Sequence, residues 1–195
     1  MALRAQEAQI AQLRAKLATF ERASEPLPTP EALRMVLPQR SFMRGATVTT
    51  TVCPTLISYL LAHFNAHNLY SAVVGWPELS YASLVSEGIP NIVAIPDPST
   101  HPEAVIGMLE GFDCIIWHAP ALRMTPTQAR PLLAKMRRQQ TLLLAVGAQL
   151  PAYAHLDAAV TGIRGLGQGS GRIQKIEITV RGNHQSCVVQ LPCNT

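Results

Sequence analysis

Five short apolar runs, at 46–52, 70–75, 91–96, 113–118 and 141–147, alternate with segments of helical chemistry, and no other feature constrains the fold as tightly. Strands that are buried on both faces read as continuous apolar runs, and strands separated by helices pair in parallel through right-handed crossovers. The predicted class is therefore α/β, a mainly parallel sheet with helices on both faces. The helices are marked by their end chemistry. Thr100-x-x-Glu103 and Thr125-x-x-Gln128 are capping boxes, Pro77 and Pro126 suit a first turn, and Gly88 suits a C-terminal cap. Beyond Pro151 the pattern changes to strand-like runs at 156–163, 172–181 and 187–191 with no helix between them. These predict antiparallel strands at one edge of the sheet.

With 195 residues, 48% of them apolar, the chain can bury one sizeable core but not two. Three segments are expected: an amphipathic helix over 1–24, a proline-rich linker with a short helix over 25–43, and the core domain over 44–195. In the first, Leu3, Ile10, Leu13, Leu17 and Phe20 fall at heptad a and d spacing, with Gln6 at the remaining d site. A stripe of about two and a half heptads is too short to persist alone, so it must dock on its own sheet or on another chain. Glu25-Pro-Leu-Pro-Thr-Pro favours an extended spacer, and Thr29-Pro30-Glu31 has the chemistry of a helix start.

Several chemistries have little to stand on. No run of 18 apolar residues exists, which predicts no membrane span and a cytoplasmic protein. Cys53, Cys114, Cys187 and Cys193 form no C-x-x-C pair and read as reduced, structural thiols. The net charge of +4 comes from scattered residues. Its densest group, Lys135, Arg137 and Arg138, suits the end of a helix and is also the candidate for contact with DNA phosphates. His63 and His67 have i, i+4 spacing, but no glutamate follows His63 as in H-E-x-x-H, so a helix-surface pair is expected rather than a metal site. The glycines of Gly165-Leu-Gly-Gln-Gly-Ser-Gly171 precede a strand, not a helix, and predict a flexible hairpin loop.

The run at 46–52 is followed by Cys53-Pro54-Thr55 and a long helical segment, the place where a parallel nucleotide-binding fold puts its phosphate loop. A working loop needs G-x-x-x-x-G-K-[S/T], so that backbone N–H groups converge on phosphate, lysine neutralises charge and the hydroxyl ligates magnesium. Here no glycine or lysine lies between Gly45 and Gly75, Pro54 removes a donor, and only Thr55 matches the last element.

At these residues the chain resembles the RecA superfamily, and within it the ImuA-type proteins of bacterial mutagenic DNA repair. The resemblance spans about residues 34–183. It is carried by Tyr70-Ser-Ala-Val-Val-Gly-Trp-Pro-Glu-Leu, Glu87-Gly-Ile-Pro-Asn-Ile-Val-Ala-Ile-Pro-Asp-Pro, Asp113-Cys-Ile-Ile-Trp-His and Ala159-Val-Thr-Gly-Ile-Arg-Gly-Leu-Gly-Gln-Gly-Ser-Gly-Arg172. It implies a RecA-like core in which Trp76 stands where RecA-like ATPases carry a catalytic glutamate, with Glu78 two residues beyond. His118 stands where they carry a magnesium-associated aspartate, and imidazole is a poor ligand for so hard an ion. The implied protein has no catalytic residue, no metal ligand and no cofactor. The places of the DNA-binding loops hold only short connections, such as 150–155, so DNA contact is expected to be weak or indirect, through Arg164, Arg172 or Lys175.

The implied function is an accessory role in DNA-damage-induced mutagenesis. Its partners would be a noncatalytic, ImuB-like homologue of Y-family polymerases and, indirectly, an error-prone replicative-type polymerase, with RecA as a further contact and no membrane partner. Leu3, Ile10, Leu13, Leu17 and Phe20 are the candidate partner-binding residues. Two alternatives stand beside this reading: a SulA-like inhibitor of cell division, and a small α/β enzyme with its site near Trp76, Asp97 and His118 at the strand carboxyl ends.

Overall fold

Each of the five apolar runs becomes a strand within two residues of its expected bounds, and together they form the centre of one sheet. The structure, a computed structural model, describes residues 25–82, 91–98, 106, 109–167 and 170–192. The heptad stripe of 1–24, the Thr100–Glu103 capping box, Gly88 and Cys193 lie outside the described residues.

The chain runs through β1 (Pro26–Leu27), two 3-10 turns (Glu31–Val36 and Pro38–Arg40), β2 (Phe42–Met43), β3 (Thr47–Thr50), α1 (Pro54–Ala66), β4 (Ser71–Val74) and β5 (Ile92–Ile95). It continues through β6 (Cys114–His118), α2 (Pro126–Gln139), β7 (Leu142–Val146), β8 (Ala154–Gly167), β9 (Ser170–Gly182) and β10 (Gln185–Pro192). The large sheet has the order β10-β9-β8-β3-β7-β6-β4-β5. From β5 to β8 all neighbours are parallel, and β9 and β10 add in antiparallel fashion. This is the α/β class expected from the alternation, with antiparallel C-terminal strands at one edge.

Helices cover both faces. On one, Leu56, Ile57, Leu60, Leu61 and Phe64 of α1 join Val48, Val73, Ile116 and Leu144 in the larger core. On the other, Leu132 and Met136 of α2 pack on Ala72, Ile115, Trp117 and Leu143. The Thr125 box is formed reciprocally, with the side chain of each partner meeting the backbone N–H of the other, and Gln140 ends α2 in the left-handed region at φ 57°.

Three expectations change. The stretch 25–43 is not a spacer: Pro26–Leu27 pairs with Phe42–Met43, and Leu33, Val36, Leu37 and Phe42 are buried in the main core. The short helix expected here does form, as the 3-10 turn Glu31–Val36, but Pro30 and not Thr29 stands at its cap. The Thr29 hydroxyl donates to the Leu27 carbonyl at 2.8 Å and accepts from Phe42 N–H at 3.0 Å, so it ties the two ends of this flap together instead of capping a helix. The glycine-rich segment is mostly strand, because β8 continues to Gly167 and β9 starts at Ser170. A hairpin forms as expected, but with longer arms and a shorter loop.

At the amino end of the parallel strands, Asp113 gathers four connections. Its carboxylate accepts from Arg44 Nη1 at 2.6 Å and from Tyr70 N–H at 2.9 Å. Its own N–H donates to the Tyr70 carbonyl at 2.9 Å, and its carbonyl accepts from Leu142 N–H at 2.9 Å. Arg44 also lies 3.5 Å from the exposed Glu25 carboxylate. Asp113→Ala leaves Tyr70 N–H without its acceptor and Arg44 with only the exposed Glu25 carboxylate, and is expected to lower unfolding stability by about 1–3 kcal/mol in denaturant titration. Glu25→Ala, at an exposed pair, is expected to change it by less than about 1 kcal/mol.

Candidate functional site at the carboxyl end of the sheet

In a parallel α/β sheet the ligand crevice lies beyond the carboxyl ends of the strands, so the residues that follow β3, β4, β6 and β7 define the site. After β3 the backbone does not curl into a cradle. Thr51 N–H donates to the Leu156 carbonyl at 3.2 Å, and its hydroxyl accepts from Ala158 N–H at 2.8 Å and donates to the Ala158 carbonyl at 2.9 Å. The segment is thereby tied along β8. Val52 follows, and Gly147 sits in the gap beside it: a Cβ on Gly147 would lie 2.9 Å from both Val52 Cγ2 and Pro120 Cα. Gly147 has φ +74°, so its lack of a side chain serves both the turn and this close approach.

Cys53 occupies the position before α1, without a side-chain capping bond, and Pro54 fills the first turn. A thiol at a helix N-terminus is often acidified. Here burial dominates and pushes the Cys53 thiol up, outweighing the pull of the Leu56 and Thr55 N–H groups, so it is no activated nucleophile.

At the ends of β4 and β6, Trp76 and His118 stack face to face, with ring centroids 4.3 Å apart and planes 15° from parallel. Trp76 is buried, and His118 Nδ1 lies 3.1 Å from the Gly75 carbonyl, which fixes Nδ1 as the protonated nitrogen. Gly75 has φ +74°, and a Cβ there would press to 3.0 Å on the His118 carbonyl. The second residue after β4 is therefore an indole turned into the core, while Glu78 is exposed in the next turn. His118 ends β6 and Asp97 follows β5, with β4 between them in the sheet, a spacing of about 10 Å between strand axes.

The remaining candidates lie elsewhere. Lys135, Arg137 and Arg138 are in the last turns of α2, where the Arg137 carbonyl accepts from Gln140 and Gly45 packs closely against Arg137 Cα, at the opposite end of the sheet from this site. His63 and His67 share one face of α1 with ring centroids 4.4 Å apart, as expected, and His67 Nδ1 lies 2.8 Å from the His63 carbonyl. Among the described residues no group of three His, Cys, Asp or Glu side chains is arranged to hold a metal ion. Arg164 is paired to Glu177 at 2.8 Å and Lys175 donates to Gln190 at 2.7 Å, so both face side-chain partners on the sheet surface. A groove of about 490 Å³ lies between the start of α2 and the β7–β8 connection, lined by Arg123, Thr125, Gln149, Leu150 and His155. There His155 Nδ1 meets the Thr49 hydroxyl. The Thr49–His155 contact and the Thr51 clamp carried no signal in the sequence, where the threonines read only as strand formers.

The arrangement defines a class: a mainly parallel α/β domain whose strand carboxyl ends carry a threonine clamp, prolines and an indole–imidazole stack. The chain belongs to the MT3502 N-terminal domain family, whose model matches residues 35–152, from within the first 3-10 turn to the connection before β8. It is similar to the Mycobacterium tuberculosis protein Rv3395c (strain ATCC 25618 / H37Rv), with 29% identity over 139 residues that cover 66% of this chain and 68% of that protein. Among solved structures, a KaiC-like protein from the hyperthermophilic archaeon Pyrococcus horikoshii OT3 gives a TM-score of 0.45 at 11% identity, over 86% of this chain and 100% of that one. No helix among the described residues is long and apolar enough to cross a membrane.

Burial, with a smaller push from His67, lowers the His63 pKa. The folded state then binds fewer protons at this site than the unfolded chain, so the stability it contributes is present above the unfolded imidazole pKa and is lost as pH falls through it toward the lowered folded value. Thermal denaturation between about pH 7 and pH 5 is expected to show a fall in Tm that His63→Gln diminishes.

Proposed function

We propose that this protein is a noncatalytic, RecA-like accessory factor of DNA-damage-induced mutagenesis that works by holding protein partners together, above all an ImuB-like homologue of Y-family polymerases. The single observation that carries the reading is the loop after β3. Thr51 is spent on β8, Cys53 is buried, Pro54 has no N–H, and so the converging donors that a triphosphate requires are not offered there. The stack of Trp76 on His118 supports it, since neither can supply a water-activating carboxylate or a hard oxygen ligand for magnesium. A domain with such a crevice and an ordinary hydrophobic core is left with its surfaces, which is why partner binding is the function assigned.

In this reading the stripe of Leu3, Ile10, Leu13, Leu17 and Phe20 is the docking arm, as helix-in-groove recognition uses i, i+3, i+4 and i+7 anchors. Lys135, Arg137 and Arg138 are the residues through which any duplex DNA would be touched.

Co-expression with the Y-family-like homologue from the same genome, followed by affinity capture, tests the proposal. Capture of that partner by the intact chain is expected, with at least about tenfold weaker retention when two apolar anchors of the stripe are removed together by Ile10→Asp and Leu17→Asp. Failure of the intact chain to capture it would contradict the proposal and turn attention to the cell-division alternative.

A further inference from the structure

The two edges of the large sheet are built differently. At one, β5 has four residues and is bracketed in the sequence by Pro90, Pro96 and Pro98. At the other, β10 runs for eight residues, Gln185–Pro192, in unbroken register with β9, and it carries no charged side chain and no bulge. Long, straight, uncharged edges invite pairing with another strand, and proteins that must avoid it shorten, bend or charge them. Of these devices β10 has Pro192, at its last position, and the 3-10 turn Glu31–Val36, which packs beside it with Leu33 and Val36 in one cluster with Val189.

The turn before β10 determines which backbone groups face outward. Asn183 and His184 form a two-residue connection with φ 47° and 59°, as a type I′ hairpin requires. In such a hairpin the flanking pair Gly182–Gln185 exchanges both hydrogen bonds, and every second residue thereafter does the same. Gln185, Cys187, Val189 and Leu191 therefore bond to β9, and Ser186, Val188 and Gln190 direct N–H and C=O away from it. No backbone partner for these three is found among the described residues.

We propose that β10 is a homodimer edge, pairing antiparallel with β10 of a second copy about a two-fold axis at Val188. Self-pairing is favoured over an unrelated strand because a two-fold sets the axis residue against its own copy and the others against residues of the same strand, and none of these carries a charge to repel. On this axis Ser186 faces Gln190 and Val188 faces Val188, all uncharged. Val188 is 53% exposed in the single chain, and pairing would cover it while joining both sheets into one. The cations of this region, Lys175 and Arg181, are carried on β9, and the Lys175 ammonium reaches forward to the Gln190 side chain at 2.7 Å.

Sedimentation of the full-length chain across a dilution series up to about 100 μM, where a modest interface would be populated, is expected to show reversible dimerisation. Val188→Lys places like charges across the axis and should raise the dissociation constant by about tenfold or more, with an unchanged circular dichroism melt because the side chain is exposed. Hydrogen-bonded antiparallel pairs hold their Cα atoms about 5.5 Å apart, within disulfide reach, so Val188→Cys should give a covalent dimer on mild oxidation. A chain that stays monomeric throughout the series overturns the proposal. So does a dimer that persists in Val188→Lys, or one in which the Val188→Cys variant does not cross-link.

Discussion

The hydroxyl of Thr51 bonds twice to one residue of β8, and the character of the domain follows from that. By accepting from Ala158 N–H and donating to its carbonyl, it continues the pairing of β3 with β8 past the end of β3. The local sequence prepares this. Thr49, Thr50, Thr51 and Val52 are all β-branched, and such residues favour extended backbone over the alternating left-handed turns of a phosphate nest. A chain held extended beyond its strand enters α1 through Cys53 and Pro54, with few free N–H groups. Local preference, side-chain bonding and the extended path into α1 are thus one causal sequence.

The two ends of the sheet are stabilised by different means. At the amino end a partly buried ionic pair, Arg44 with Asp113, and the bonds of Asp113 to Tyr70 and Leu142 fasten the starts of neighbouring strands. At the carboxyl end they are hydrogen bonds between uncharged groups, Thr51 with Ala158, and packing contacts: Val52 and Pro120 around Gly147, and Trp76 on His118.

Much of the fold was legible in the chain because β4, β6 and β7 are buried on both faces and so appear as unbroken apolar runs. The Thr125 box was legible because both of its bonds are local. The flap of 25–43 was not, although Leu33, Val36 and Leu37 had helical spacing, because three prolines weigh toward an extended spacer and the pairing of β1 with β2 joins segments that are not neighbours in the chain. The reach of β8 was hidden by Gly162, Gly165 and Gly167, which read as a loop; in the sheet two register shifts absorb them, and Gly162 gives room to Glu177. At the site, the places of Trp76 and His118 near strand ends could be read from position along the chain. Their stacking, and the clamp at Thr51, depend on strand order, which no local pattern encodes.

The central claim is that the crevice beyond β3 does not take a nucleoside triphosphate. Isothermal titration of the intact chain with ATP and magnesium, in the millimolar range, tests it most directly. The account predicts heats of dilution only. Saturable, stoichiometric binding that is weakened by a substitution next to the crevice, such as Val52→Glu, would contradict it.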